Sequence, residues 1–259
     1  MLFFEQLFLA FKYYGETFRF IDRHNLYKYL IVPALLSLGV ALFVAWLVWV
    51  SSEMVITGVL SRFDFRQLSG FWGDSIEFVF KTILLALIIS GYLKIFRYLL
   101  LLVLTPSFVW ISGKIQSIEL GEMREFSLGM FMKNILRSME IAVMNFIRDL
   151  FITSLVIVVV LILTWTVPLA PFAIIFVECY FFGYAMIDYR NQFLSMSIRE
   201  SGKVIRKNIG LAVGNGICFN LILLIPLLGI MFGPALALIA AGISIDEVGN
   251  NPVIGDKIN

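Results

Sequence analysis

The amino-acid sequence predicts an all-α membrane protein: two long transmembrane helices, two proline-broken, partly inserted helical hairpins, and amphipathic surface helices. Three observations carry this prediction. Apolar residues make up 60% of the 259 residues and charged residues only 15%, with a mean hydropathy of +0.94. A soluble domain is nearer half apolar and a quarter charged, and one core of this size cannot hide so much Leu, Ile, Val and Phe. Lipid must serve as the solvent. Residues 29–50 carry no charge and have the length of one span. Two longer apolar runs, 150–187 and 208–244, are each interrupted by prolines near the middle.

Along the chain, residues 1–22 read as an amphipathic helix. Phe4, Leu7, Phe8, Phe11 and Phe18 recur at helical spacing, with Glu5, Lys12, Glu16 and Arg19 on other faces. Such a helix suits the membrane surface. Glu5 stands early and no basic stretch precedes it, so a cleavable leader is not expected. Residues 29–50 form the first span, with Trp46 and Trp49 placed for an interfacial belt. Residues 51–77 are polar and read as a loop with room for a short surface helix. Residues 82–105 form the second span, which stops at Pro106. Residues 107–123 are mildly amphipathic and 124–148 clearly so, with Lys133, Arg137 and Glu140 on one face.

Run 150–187 contains one charge, Glu178, and run 208–244 contains none. A straight helix of about 37 residues would measure about 55 Å, against a bilayer core of about 30 Å. Pro168 and Pro171 break the first run, Pro226 and Pro234 the second. Each run therefore reads as a hairpin whose legs cross the membrane only in part. Arg148 precedes Pro168 by twenty residues and Lys207 precedes Pro226 by nineteen, a weak internal repeat. Residues 1–248 are expected to form a single membrane domain and 249–259 a short polar tail.

Lysine and arginine set the expected topology. They cluster in the first 28 residues, in 114–148 and in 190–207, whereas 51–77 has Arg62 and Arg66 balanced by four acids. Both termini are expected to be cytoplasmic and 51–77 external. The net charge of +2 does not point to nucleic acid. His24 is the only histidine, and no phosphate-cradling glycine motif is present. Cys179 and Cys218 read as buried small hydrophobes. No metal site, cofactor or nucleophile–base pair is indicated, so no catalytic residues are assigned.

Lys94 and Arg97 share a helix face inside an apolar run, where burying a charge costs about 3 kcal/mol on insertion scales. Two readings stay open for them. They form a candidate anion path with Glu178, or they either snorkel to the cytoplasmic interface or pair with Glu178 or Asp188. Asp188 and Arg190 read as an interfacial ion pair. Arg199, Lys203 and Arg206 form a basic stripe suited to anionic lipid headgroups. Gly210 and Gly214, and Gly229 and Gly233, permit close helix contact.

Tyr184, Asp188 and Tyr189 are followed by a basic amphipathic helix, Gly214, the run Ile225 to Leu228, and Pro234 before a small-residue leg. In this pattern the second half of the chain resembles the CysZ-type sulfate permeases of the etoposide-induced-protein family. LYKYLIVPALLS with Pro33, and Thr105-Pro106-Ser107, extend the resemblance to roughly residues 5–245. The resemblance implies two long transmembrane helices, two partly inserted hairpins, homo-oligomers, and placement in the cell inner (plasma) membrane with cytoplasmic termini. It implies transport of a small inorganic anion such as sulfate, among membrane lipids as the other partners. In those permeases a Gly-hydrophobic-Arg-Arg-like turn binds sulfate. The matching residues here are Asn25, Leu26, Tyr27 and Lys28, with Arg23 close by. Asn25 can take the left-handed backbone that glycine allows. Tyr27 replaces a guanidinium, and Gly229 stands where the permeases usually have Asn. A membrane-shaping or scaffolding protein using re-entrant hairpins is the alternative.

Overall fold

The computed structural model describes residues 2–60, 71–120, 127–194 and 196–249. All regular structure among them is helical: α1 (Phe3–Arg23), α2 (Tyr27–Leu60), α3 (Phe71–Leu120), α4 (Leu128–Ile162), a 3-10 turn (Thr164–Leu169), α5 (Ala170–Phe193), α6 (Ile198–Lys207), α7 (Ile209–Leu223) and α8 (Leu228–Gly249). Five helical stretches are long and apolar enough to cross a membrane: Tyr27–Ser51, Gly91–Ile115, Leu128–Val160, Ala170–Gln192 and Leu228–Val248. The protein is an all-α, multi-pass membrane protein.

Three expected boundaries differ from those observed. Residues 51–60 continue α2, and 71–77 already belong to α3, so the expected 51–77 loop is helical over both ends. Residues 61–70 lie outside the described residues, as does the tail from 250 onward. α3 passes through Pro106 to Leu120 instead of stopping there. α4 joins the amphipathic stretch and the first half of the apolar run into one helix. At both ends of 51–77 the helices outrun the apolar stretch, because hydropathy marks where a helix leaves lipid while backbone hydrogen bonding decides where it ends. At Ser51 the side chain donates to the Leu47 carbonyl. Next to Pro106, the Thr105 hydroxyl donates to the Leu101 carbonyl and meets the Tyr189 hydroxyl at 3.0 Å, so the proline interrupts the ladder at a place that α5 supports.

The chain divides into two compact units. One is residues 39–99. Within it the Ser51 and Tyr92 hydroxyls are hydrogen bonded, tying α2 to α3, and Trp46 and Trp49 are exposed.

The other unit comprises residues 1–38 and 100–259. Its centre is α7, which packs against α1, α5 and α8. Glycines make this possible. A Cβ on Gly183 of α5 would lie 1.9 Å from the Ala212 carbonyl oxygen, and one on Gly216 would lie 2.1 Å from that of Cys179. On the other side, Gly210 and Gly214 face Phe3, Gln6, Leu7 and Ala10 of α1. The backbones therefore meet directly, the arrangement that dispersion favours where lipid competes with every apolar side chain. Phe182 and Phe219 stack at 3.9 Å across the same interface.

Polar groups lock α7 in place. The Gln6 amide donates to the Lys207 carbonyl and to Asn208, and its oxygen accepts from the Gly210 N–H. This satisfies a free donor of the first turn of α7. The Tyr14 hydroxyl donates to the Asn215 carbonyl, and the Asn215 amide donates to the Ala237 carbonyl of α8. α1 thus buries its small and polar face: Gln6, Ala10, Tyr13, Tyr14, Thr17 and Ile21. Phe4, Phe8, Phe11 and Phe18 point outward.

The turn Leu224–Leu227 joins α7 to α8, and those helices pack on one another. Leu227 sits there at φ 60°, in the left-handed region. A Cβ on Gly229 would meet the Ile222 carbonyl at 2.0 Å, so the close start of α8 requires glycine. The Thr164–Leu169 turn joins α4 and α5, which likewise pack together.

Candidate anion site and the buried polar layer

The predicted anion turn lies where α1 stops and α2 begins. Asn25 is left-handed, with φ 54°. Its N–H donates to the Asp22 carbonyl, and the Leu26 N–H reaches back to the Ile21 carbonyl at 3.0 Å. These paired reverse bonds close the C-terminus of a helix, and they need a left-handed residue between them. Leu26 and Ile21 are both 2% exposed and anchor the turn. The chain then enters α2 directly, with Tyr27 and Lys28 in its first turn. That turn presents backbone N–H groups and the positive end of the helix dipole.

Arg23, Asn25, Tyr27 and Lys28 are all exposed around this turn. Asp22 stands among them, and the Tyr27 hydroxyl donates to its carboxylate at 3.4 Å. Tyr29, half-buried, packs edge-on against Trp110 of α3, with ring centroids 4.8 Å apart. The Lys114 ammonium lies 6.0 Å from the Tyr29 ring. A second lysine, from a distant part of the chain, therefore stands beside the helix start that carries Lys28. Sequence reading used Lys114 only as a topology signal. Nothing in its spacing links it to Lys28, because the fold of α3 against α2 makes the link.

The candidate path residues are placed as follows. Lys94 is buried and Arg97 half-buried, both in the 39–99 unit. Glu178 is buried in α5 of the other unit.

Asp188 and Arg190 do not form the expected pair. The Arg137 guanidinium of α4 donates to Asp188 at 3.1 Å. Arg190 donates from Nε to both carboxylate oxygens of Asp246 on α8, at 2.9 and 2.7 Å. Residues two apart on a helix face different directions, so each charge finds its own partner helix. Ser201 of α6 also donates to Asp188, and Asn191 donates to Ser201. Ser138 donates to Gln192. A buried polar layer thus joins α4, α5 and α6. The signal available in sequence was the presence of single charges at the ends of apolar runs. Their partners were not readable.

A family model described as sulfate transporter CysZ/Etoposide-induced protein 2.4 matches residues 13–234. The chain belongs to this family. In this CysZ/Etoposide-induced protein chain, the matched region includes the whole α1–α2 turn, Lys94, Arg97 and Glu178, and it reaches Pro234 within α8. No curated protein matches the chain.

Proposed function

We propose that this protein moves a small inorganic oxyanion of the sulfate type across the membrane, as a transporter or channel. The observation that carries the reading is the α1–α2 turn. A left-handed Asn25 delivers the chain into a helix start flanked by Arg23 and Lys28, and Lys114 approaches from α3. Backbone donors and cations at a helix N-terminus suit an anion. The family description, which names a sulfate transporter, supports the same chemistry. Asp22 beside the turn weakens the local field, which favours release over tight capture.

In this reading Lys94, Arg97 and Glu178 line the anion path, and the α1–α2 turn opens to the cytoplasm together with both termini. The inner (plasma) membrane is the site of action, and the protein works as a homo-oligomer. α7 has 15 residues, about 22 Å of helix, which is shorter than a bilayer core of about 30 Å. This supports partial insertion of α7, the shorter leg of the α7–α8 pair.

Radiolabelled sulfate uptake into proteoliposomes tests the proposal. Uptake above that of empty vesicles, saturable and reduced by Lys28→Gln, is the expected result. The exposed phenylalanines of α1 favour one rival, a membrane-shaping role. Vesicle remodelling without any oxyanion flux would establish that rival instead.

A further inference from the structure

α4 packs against α5 along one face, where Ile141, Ala142 and Asn145 are buried. Arg137, expected on one face with Lys133 and Glu140, donates instead to Asp188 of α5. Away from α5 the helix carries an apolar seam. Met132, Leu136, Met139 and Val143 are exposed, at spacings of four, three and four residues. That alternation is the repeat by which two helices interlock their side chains. Lys133 and Glu140 are exposed beside the seam, and neither has an ion-pair or hydrogen-bond partner among the described residues.

Glu140 follows Lys133 by seven positions, so the two lie on the same edge of the seam, two turns or about 10 Å apart. This arrangement is complementary to itself. When a second α4 runs antiparallel across the first, a two-fold axis passes midway between the two charges, beside Leu136. Lys133 then faces the partner's Glu140 and Glu140 faces the partner's Lys133, while the apolar seams close on each other. In a parallel pair, equal residues stand at equal heights, and neither charge meets an opposite one. Lipid tails cover an apolar seam equally well. They give Glu140 no cation, however, and anionic headgroups repel a carboxylate.

We propose that α4 is the contact surface between two copies of this chain, paired antiparallel about a two-fold axis beside Leu136. Lys133 and Glu140 of each copy form two symmetry-related ion pairs that fix the register. The pair rests on the homo-oligomer of the proposed function and gives it an interface. Its test measures association alone, so a failure of sulfate flux leaves it untouched, and its own failure leaves the transport reading standing.

The full-length protein is reconstituted in lipid vesicles, and its oligomeric state is counted by single-molecule photobleaching over a range of protein-to-lipid ratios. Wild type should pair. Lys133→Glu and Glu140→Lys each place like charges together and should raise the density needed for pairing by about tenfold or more. The exchange Lys133→Glu/Glu140→Lys restores opposite charges and should restore wild-type pairing, which damage to the fold would not allow. Leu136→Cys, close to the axis, should cross-link to its own copy through a short bismaleimide. Leu128→Cys, whose copies stand about 25 Å apart along the antiparallel helices, should not. Wild type that stays monomeric at every ratio would overturn the proposal. So would pairing that neither single reversal weakens, or a correctly folded exchange variant that fails to pair. Cross-linking at both 128 and 136 would mean a parallel pair and would overturn the two-fold geometry.

Discussion

Gly183 of α5 faces the Ala212 carbonyl of α7 so closely that a single added methyl group would stand 1.9 Å from the oxygen. No side chain lies between the two backbones to yield. Gly183→Ala must therefore push α5 away from α7, opening the reciprocal contact at Gly216 and Cys179 as well. Overpacking of this kind costs about 1–3 kcal/mol. For a chain of this size that lowers the melting midpoint by roughly 2–4 °C per kcal/mol. A thermal melt of the detergent-solubilised variant checks this, and an unchanged midpoint would mean that the two helices are not in backbone contact. Gly39, which has open space around it, provides the control: Gly39→Ala should leave the midpoint unchanged or slightly raised.

Leu227 holds a left-handed backbone with its side chain exposed. Left-handed geometry costs an L-residue about 1–2 kcal/mol. Glycine removes that strain but adds roughly 0.5–1 kcal/mol of unfolded-state entropy. Leu227→Gly should therefore be neutral to mildly stabilising, by about 0.5–1 kcal/mol. Leu227→Val should be destabilising. The opposite order in a thermal melt would contradict the turn geometry.

Arg137 and Asp188 form a largely buried pair. Removing one partner strands the other charge, at a cost of about 3–5 kcal/mol. Asp188→Leu should therefore destabilise more than the double change Asp188→Leu/Arg137→Met, which leaves no orphan charge. A double-mutant cycle measures this. Additive single effects would show that the pair is not coupled.

Lys28→Gln should weaken oxyanion binding by about ten- to a hundredfold, the loss of one charged hydrogen-bond partner. Asn25→Gly preserves the left-handed turn and should leave affinity nearly unchanged, whereas Asn25→Val strains it and should reduce affinity along with stability. Calorimetric titration with sulfate distinguishes these outcomes. Equal affinity in wild type and Lys28→Gln would remove the turn from the anion site.

Tyr13 of α1 has its phenol pushed up to about 12, chiefly by burial and then by the charges of Glu247 and Glu16. The unfolded phenol ionises near its ordinary value of 10. Its contribution is therefore constant below pH 10, and stability falls as pH rises from 10 towards 12. Tyr13→Phe should flatten that alkaline decline. An unchanged slope in melts taken across this range would show that Tyr13 does not titrate against Glu247.

By itself the sequence determined the class of this protein and much of its local structure. Composition required lipid as solvent and the apolar runs located the spans; Pro168, Pro171 and Pro226 stand at breaks, whereas Pro106 and Pro234, also expected to interrupt helices, lie inside α3 and α8. Asn25 announced a left-handed helix stop, and the Gly210/Gly214 spacing announced a close helix contact. All of these depend on free energies that each short segment carries with it: partition into lipid, backbone preference, and the missing donor of proline. Tertiary structure alone decided the partners. Asp188 chose Arg137 over its neighbour Arg190, Arg190 chose Asp246, and Lys114 came to stand beside Tyr29. The continuation of α3 through Pro106 and of α2 past Ser51 belongs here too. The physical reason is angular. Successive residues on a helix point about 100° apart, so which charge meets which is set by how whole helices rotate and pack. That choice is spread over many small contacts between segments remote in the chain, and no local pattern encodes it.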